Sequence, residues 1–116
     1  MICLKPQQGP SAAALLLVAM VLSGWTGVAH ARDPVAGKAR AAMCVTCHGP
    51  LGLSQLPNAP HLAGQPAIYL VEQLKNYRSG KRQNEVMNVM AKPLSDQEID
   101  DLAAWYASIQ ISVTGQ

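Results

Sequence analysis

Phenylalanine is missing from this 116-residue chain, and two tryptophans and three tyrosines are its whole aromatic complement. A core built mainly from packed rings is therefore excluded. No stretch alternates apolar and polar residues with the period of a half-buried strand, which argues against a sheet and so against a thioredoxin-like fold. Internal repeats and low-complexity tracts are also lacking, which excludes solenoids and disorder by composition. Charge is sparse, at 14% of residues with a net value of +2, and forms none of the concentrated basic stripes of a nucleic-acid binder. Cysteine is limited to three residues, too few for a multiply cross-linked scaffold.

What is present begins with an export signal. Lys5 precedes an uncharged run from Ser11 to Val28, rich in Ala and Leu, that ends at Ala29-His30-Ala31, the small-x-small pattern of a signal-peptidase site. Residues 1–31 are expected to be a cleaved signal peptide, and residues 32–116 the mature domain. An uncleaved anchor is the alternative, since the run approaches the ~20 residues that span a bilayer. Ser23, Gly24 and Thr26 dilute it, and the cleavage pattern follows directly. Either way the rest of the chain leaves the cytoplasm, and a periplasmic location is expected. Cys3 belongs to the leader.

The 85 residues from Arg32 to Gln116 carry eight Lys and Arg against seven Asp and Glu. The signs are segregated, with four basic residues in Lys75 to Arg82 and four acidic ones in Asp96 to Asp101. This predicts either a dipole that orients the molecule on a charged partner or two solvated helix faces. Only Trp105 remains of the tryptophans, and a domain this small usually needs a disulfide, a metal or a large cofactor to complete its core.

The mature part reads as all-α, with three main helices and long loops. The first is expected from Pro34 to Val45, with Pro34 in the first turn and small residues at Ala36, Gly37, Ala39, Ala41 and Ala42. The stretch from Gly49 to Gly64 holds Pro50, Gly52, Pro57 and Pro60, too many breakers for a regular element. A second helix is expected from Pro66 to Gly80, with Ile68, Leu70, Val71, Leu74 and Tyr77 on its buried side and Gly80 as its cap. The third runs from Asp96 to Ile109, opened by the capping box of Ser95 and Glu98.

The decisive motif is Cys44-Val45-Thr46-Cys47-His48. C-x-x-C-H is the attachment pattern of a c-type haem. Two cysteines three apart lie on one side of a helical turn, so both sulfurs can add to one porphyrin edge while the adjacent imidazole reaches the iron. His48 is then the proximal ligand, a good nitrogen donor once a hydrogen bond from its other ring nitrogen fixes the tautomer. A disulfide or redox pair of Cys44 and Cys47 competes, as does a zinc site with His61. Export, a small core and the motif together favour one covalently bound haem c. For the sixth iron position the candidates are Met87, Met90 and His61. His61 lies only thirteen residues past His48, on the proximal side, whereas both methionines follow a helix that can carry them around to the other face. Met43 reads as an apolar gap-filler.

These residues resemble the class I cytochromes c, particularly the short bacterial forms and single domains of their two-haem relatives. Besides Cys44 to His48, the resemblance is carried by Gly37, by Asn58-Ala59-Pro60-His61-Leu62-Ala63-Gly64-Gln65, by Tyr69-Leu70 with Gln73-Leu74, and by Tyr77-Arg78-Ser79-Gly80. It continues through Met87-x-x-Met90, Pro93-Leu94-Ser95-Asp96 and Leu102-Ala103-Ala104-Trp105-Tyr106, and so covers the mature chain. It implies that Met87 binds the iron, with Met90 as the second choice, and that the carbonyl of Pro60 accepts a hydrogen bond from His48. It also implies that the first helix crosses the last where Gly37 meets Leu102 to Tyr106. Where many members carry an aromatic residue four after that glycine, this chain has Ala41, leaving Trp105 or Tyr106 to supply bulk.

The function expected from that resemblance is one-electron transfer between redox proteins by a monomeric carrier that is not an enzyme. Its partners would be a donor and an acceptor, such as a dehydrogenase or oxidase, with Lys75, Lys81 and Arg82 around the exposed haem edge. An open-site peroxidatic haem protein and a dedicated electron-accepting subunit are the other readings.

Overall fold

The computed structural model describes residues 32–112, 114 and 115, so the expected signal peptide lies outside the described residues. Among these residues every regular element is helical. Helix α1 spans Pro34–Arg40 and passes through a 3-10 turn, Ala41–Met43, into the one-turn helix α2, Val45–His48. Then come α3, Ala67–Ser79, α4, Glu85–Ala91, and α5, Asp96–Ser108. Among the described residues no helix is long and apolar enough to cross a membrane.

Asp33 caps α1, its carboxylate accepting from the Val35 N–H at 2.8 Å, and Pro34 supplies the preset φ of a first turn. The expected single helix from Pro34 to Val45 is interrupted, because the backbone tightens into the 3-10 turn and Cys44 becomes the N-cap of α2. Ala41, at the start of that turn, is buried in the core. Helix α3 ends as expected at Gly80, whose φ of 78° is the left-handed cap favourable to glycine. The capping box of α5 is complete: Glu98 N–H donates to Ser95 Oγ at 3.2 Å, and Ser95 N–H donates to Glu98 Oε2 at 2.8 Å.

Helix α1 crosses α5 at Gly37, where a Cβ would overlap the Asp101 carbonyl oxygen and lie 2.9 Å from Trp105 Cβ. The close approach is pinned by the Asp33 N–H, which donates to the buried Asp101 carboxylate at 2.8 Å, and by the ion pair of Arg40 with Glu98. A Gly37→Ala variant is accordingly expected to lose about 1–3 kcal/mol or more, as overpacking against backbone that cannot yield. A denaturant midpoint within error of wild type would show that the helices can slide apart freely.

The core gathers Ala41, Leu70, Ala91, Leu94, Ile99, Leu102, Ala103 and Tyr106, with Ile99 and Leu102 the largest fully buried side chains. Tyr106, which shares that cluster with Ala41, is the buried aromatic of α5. Trp105 instead sits at the edge, its ring centroid 5.3 Å from the Lys38 ammonium.

The segregated charges meet in part across the fold, through side chains that remain largely exposed. Arg78 donates to Asp96 Oδ1 at 2.5 Å and to the Leu94 carbonyl at 2.8 Å, and Lys75 lies 3.7 Å from Asp96. The basic end of α3 thus neutralises the acidic start of α5, which shrinks the expected dipole. The Arg78 hydrogen bond, followed by the Lys75 charge, holds the Asp96 carboxyl below its ordinary value, and the Ser95 backbone N–H does the same for Glu98. Because these groups take up protons less readily folded than unfolded, their stabilisation is complete above the ordinary carboxylate range. It is lost as pH falls through the lowered values. Thermal melts of wild type and an Asp96→Asn, Glu98→Gln double variant are expected to differ at pH 7 and to converge in acid. A constant difference across that range would contradict this.

Candidate cofactor site

A cavity of about 610 Å³ lies between α2, the following loop, α3, α4 and α5. Cys44, Cys47 and His48 line it from the motif turn, and Met87 and Met90 line it from α4. Leu70, Leu74, Leu102 and Tyr106 are among its apolar walls. The motif turn is a true helical turn, with the His48 N–H donating to the Cys44 carbonyl at 2.9 Å, so both sulfurs and the imidazole address one space.

His48 is 6% exposed, and its Nδ1 lies 2.9 Å from the Pro60 carbonyl oxygen. That oxygen can only accept, so Nδ1 carries the proton and Nε2 keeps its lone pair. The loop supporting this contact is tied back to the motif. Ser54 Oγ donates to the Cys47 carbonyl at 2.8 Å, and the Ser54 N–H donates to His61 Nδ1 at 2.8 Å. Further along, the Leu62 and Ala63 amides share the Gly52 carbonyl, and the Gly64 N–H reaches the Tyr106 carbonyl at 2.9 Å, docking the loop on α5. His61 is thereby held beside the motif turn.

The donor set suits haem better than the alternatives. Cys44 and Cys47 are not joined to each other. Burial pushes the Cys44 thiol up from its ordinary value. Among the described residues no three His, Cys, Asp or Glu side chains converge as a metal site. The Tyr106 hydroxyl is buried beside the Cys44 thiol without a nitrogen or oxygen partner, and burial, then Cys44, raises its pKa. An orphaned hydroxyl on the wall of a largely apolar cavity fits a site completed by a bound cofactor.

Two features escaped the sequence reading. Helix α4 itself was not anticipated as an element, although Asn84 followed by Glu85 is a helix-start signal. Asn88, beside the methionines, gave no signal at all. Of the basic residues expected around an exposed edge, Arg82 lines the cavity, donating to Gln73 Oε1 at 2.6 Å with its guanidinium 4.7 Å from the Tyr77 ring centroid. Lys75 is turned to Asp96 instead.

The fold and this site define a small haem protein of the class I type. The chain belongs to the cytochrome c family, whose model matches residues 35–110. It is 47% identical over 100 residues to cytochrome c4 of Pseudomonas aeruginosa, covering 84% of this chain and 50% of that one. It is 43% identical over 81 residues to cytochrome c-554(548) of Halomonas halodenitrificans, covering 67% of this chain and 98% of the relative. Reduced cytochrome c4 from Pseudomonas stutzeri superimposes with a TM-score of 0.67 at 40% identity, over 72% of this chain and 48% of that one. The chain thus spans about half the length of the cytochromes c4 that it matches. Covalently attached haem c is the cofactor of this family, with Cys44 and Cys47 positioned to carry it, and its members are electron carriers.

Proposed function

We propose that residues 32–116 form an exported, periplasmic cytochrome c domain that carries single electrons between redox proteins as a monomer and catalyses no bond-making reaction. In this reading residues 1–31 are a cleaved signal, Cys44 and Cys47 hold one haem c, and His48 and Met87 are the axial ligands. The supporting observation is the cavity itself, which collects the Cys44–His48 turn and the α4 methionines around one apolar space, with Nδ1 of His48 committed to Pro60.

When bound, the haem supplies an iron that gains and loses one electron. The protein's own residues keep that change easy. His48, fixed by Pro60, and a thioether from α4 would hold that iron, and neither side chain would need to move as its charge changes. Leu70, Leu74 and Leu102 exclude water from the interior side. From Arg82 to Leu94 the cavity is lined by Arg82, Asn84, Val86, Met87, Met90, Ala91 and Leu94. Donor and acceptor are redox proteins that dock transiently.

The test is carbon monoxide added to the reduced protein. A carrier with both axial positions filled is expected to keep its spectrum; rapid, complete binding would support the open-site reading.

A further inference from the structure

We propose that Asn88 is a positioning residue whose side-chain amide clamps α4 to the end of α3 and so sets how firmly the Met87 thioether stays on the iron. The proposal rests on the His48/Met87 reading above.

At seven residues, α4 is too short to be stable alone. Its apolar hold on the protein is thin, since Ala91 is its only buried residue and Val86 and Val89 are 58% and 71% exposed. Its polar hold is dense. Asn88 Nδ2 donates to the Tyr77 carbonyl at 2.6 Å, at the end of α3, and to the Arg82 carbonyl at 2.9 Å, in the turn that follows. Asn88 Oδ1 accepts the Asn84 N–H at 2.7 Å, and Asn84 Oδ1 accepts the Met87 N–H at 2.9 Å. Hydrogen bonds therefore run unbroken from α3 through both asparagines to the backbone of Met87. The platform that Asn88 grips is itself fixed, because the Arg82 N–H donates to the Asn76 carbonyl at 3.0 Å and its side chain is held by Gln73 and Tyr77.

A thioether is a weak ligand, and a competitor enters only when α4 swings away. The apparent affinity of that competitor scales with the open population. Losing the two bonds donated by Asn88 raises that population roughly ten- to a hundredfold.

The experiment is an imidazole titration of the oxidised holoprotein, read by loss of the weak thioether-to-iron band in the far red, at a temperature well below unfolding. Asn88→Ala and Asn88→Asp are both expected to lower the half-saturating imidazole concentration by about tenfold or more. The aspartate keeps the acceptor and loses both donors, so it tests the clamp even if the alanine variant matures poorly. Val89→Ala, one residue along the same helix, and Gly37→Ala, destabilised at the α1–α5 crossing, are expected to stay within about twofold of wild type. An equal fall in Gly37→Ala would reduce Asn88 to a general stabiliser and overturn the proposal, as would unchanged titrations in both Asn88 variants. Met87→Ala separates the two claims. If it retains the band, the ligand assignment falls and the clamp with it; if it loses the band while the Asn88 titrations are unchanged, only the clamp falls.

Discussion

A Cys44→Ala, Cys47→Ala double variant is expected to release all its haem on acid denaturation, and its haem-free chain is expected to melt without a cooperative transition. The first result follows from the chemistry, since no other described cysteine can form a thioether. The second follows from the core. Of the nine buried apolar side chains among the described residues, four are alanines, and Ile99 and Leu102 are the largest that are fully enclosed. The walls of the cavity, including Leu70, Leu102 and Tyr106, need something to pack against. Without the haem these apolar walls would face water, and a domain held by only ~5–15 kcal/mol is expected to collapse or unfold instead. A sharp calorimetric transition in the haem-free chain would contradict this account of the core.

Met87→Ala is expected to abolish the far-red thioether band, to let the reduced protein bind carbon monoxide, and to lower the reduction potential. The soft thioether favours the reduced iron, and its removal leaves a position open to water or added ligand. Met90→Ala, truncating a half-buried side chain on the same wall of the cavity, is expected to keep the band and cost about 1 kcal/mol of stability. The two methionines are three residues apart on one helix, so geometry alone brings both to the cavity. Reversed behaviour of the two variants would move the ligand to Met90.

The parts of this molecule that could be read from its residues are those where local chemistry decides. Ser95 and Glu98 announced α5 because a capping box satisfies two backbone amides wherever it stands. Gly80 announced the end of α3 because left-handed backbone favours glycine. Cys44, Cys47 and His48 were legible because haem attachment demands that spacing, and Pro60 only because the loop resembled a known family. Helix α4 was hidden because exposed Val86 and Val89 are as apolar as the cavity-lining Met87, Met90 and Ala91, so its two faces do not differ in sequence. What holds it are Asn84 and Asn88, a residue type that propensity reads as a helix breaker until its backbone partners are known. The break after Arg40 was equally silent, since alanines carry no periodic signal to lose. The pairing of Lys75 and Arg78 with Asp96 required knowing that α3 and α5 meet.

The most direct measurement is the visible spectrum of the protein expressed with a working c-type maturation system, recorded oxidised and then reduced with dithionite. A sharp c-type reduced spectrum, a far-red thioether band in the oxidised form, and haem that stays with the polypeptide after denaturation are the predicted results. A polypeptide that emerges without haem under those conditions would contradict the account and return Cys44 and Cys47 to another chemistry.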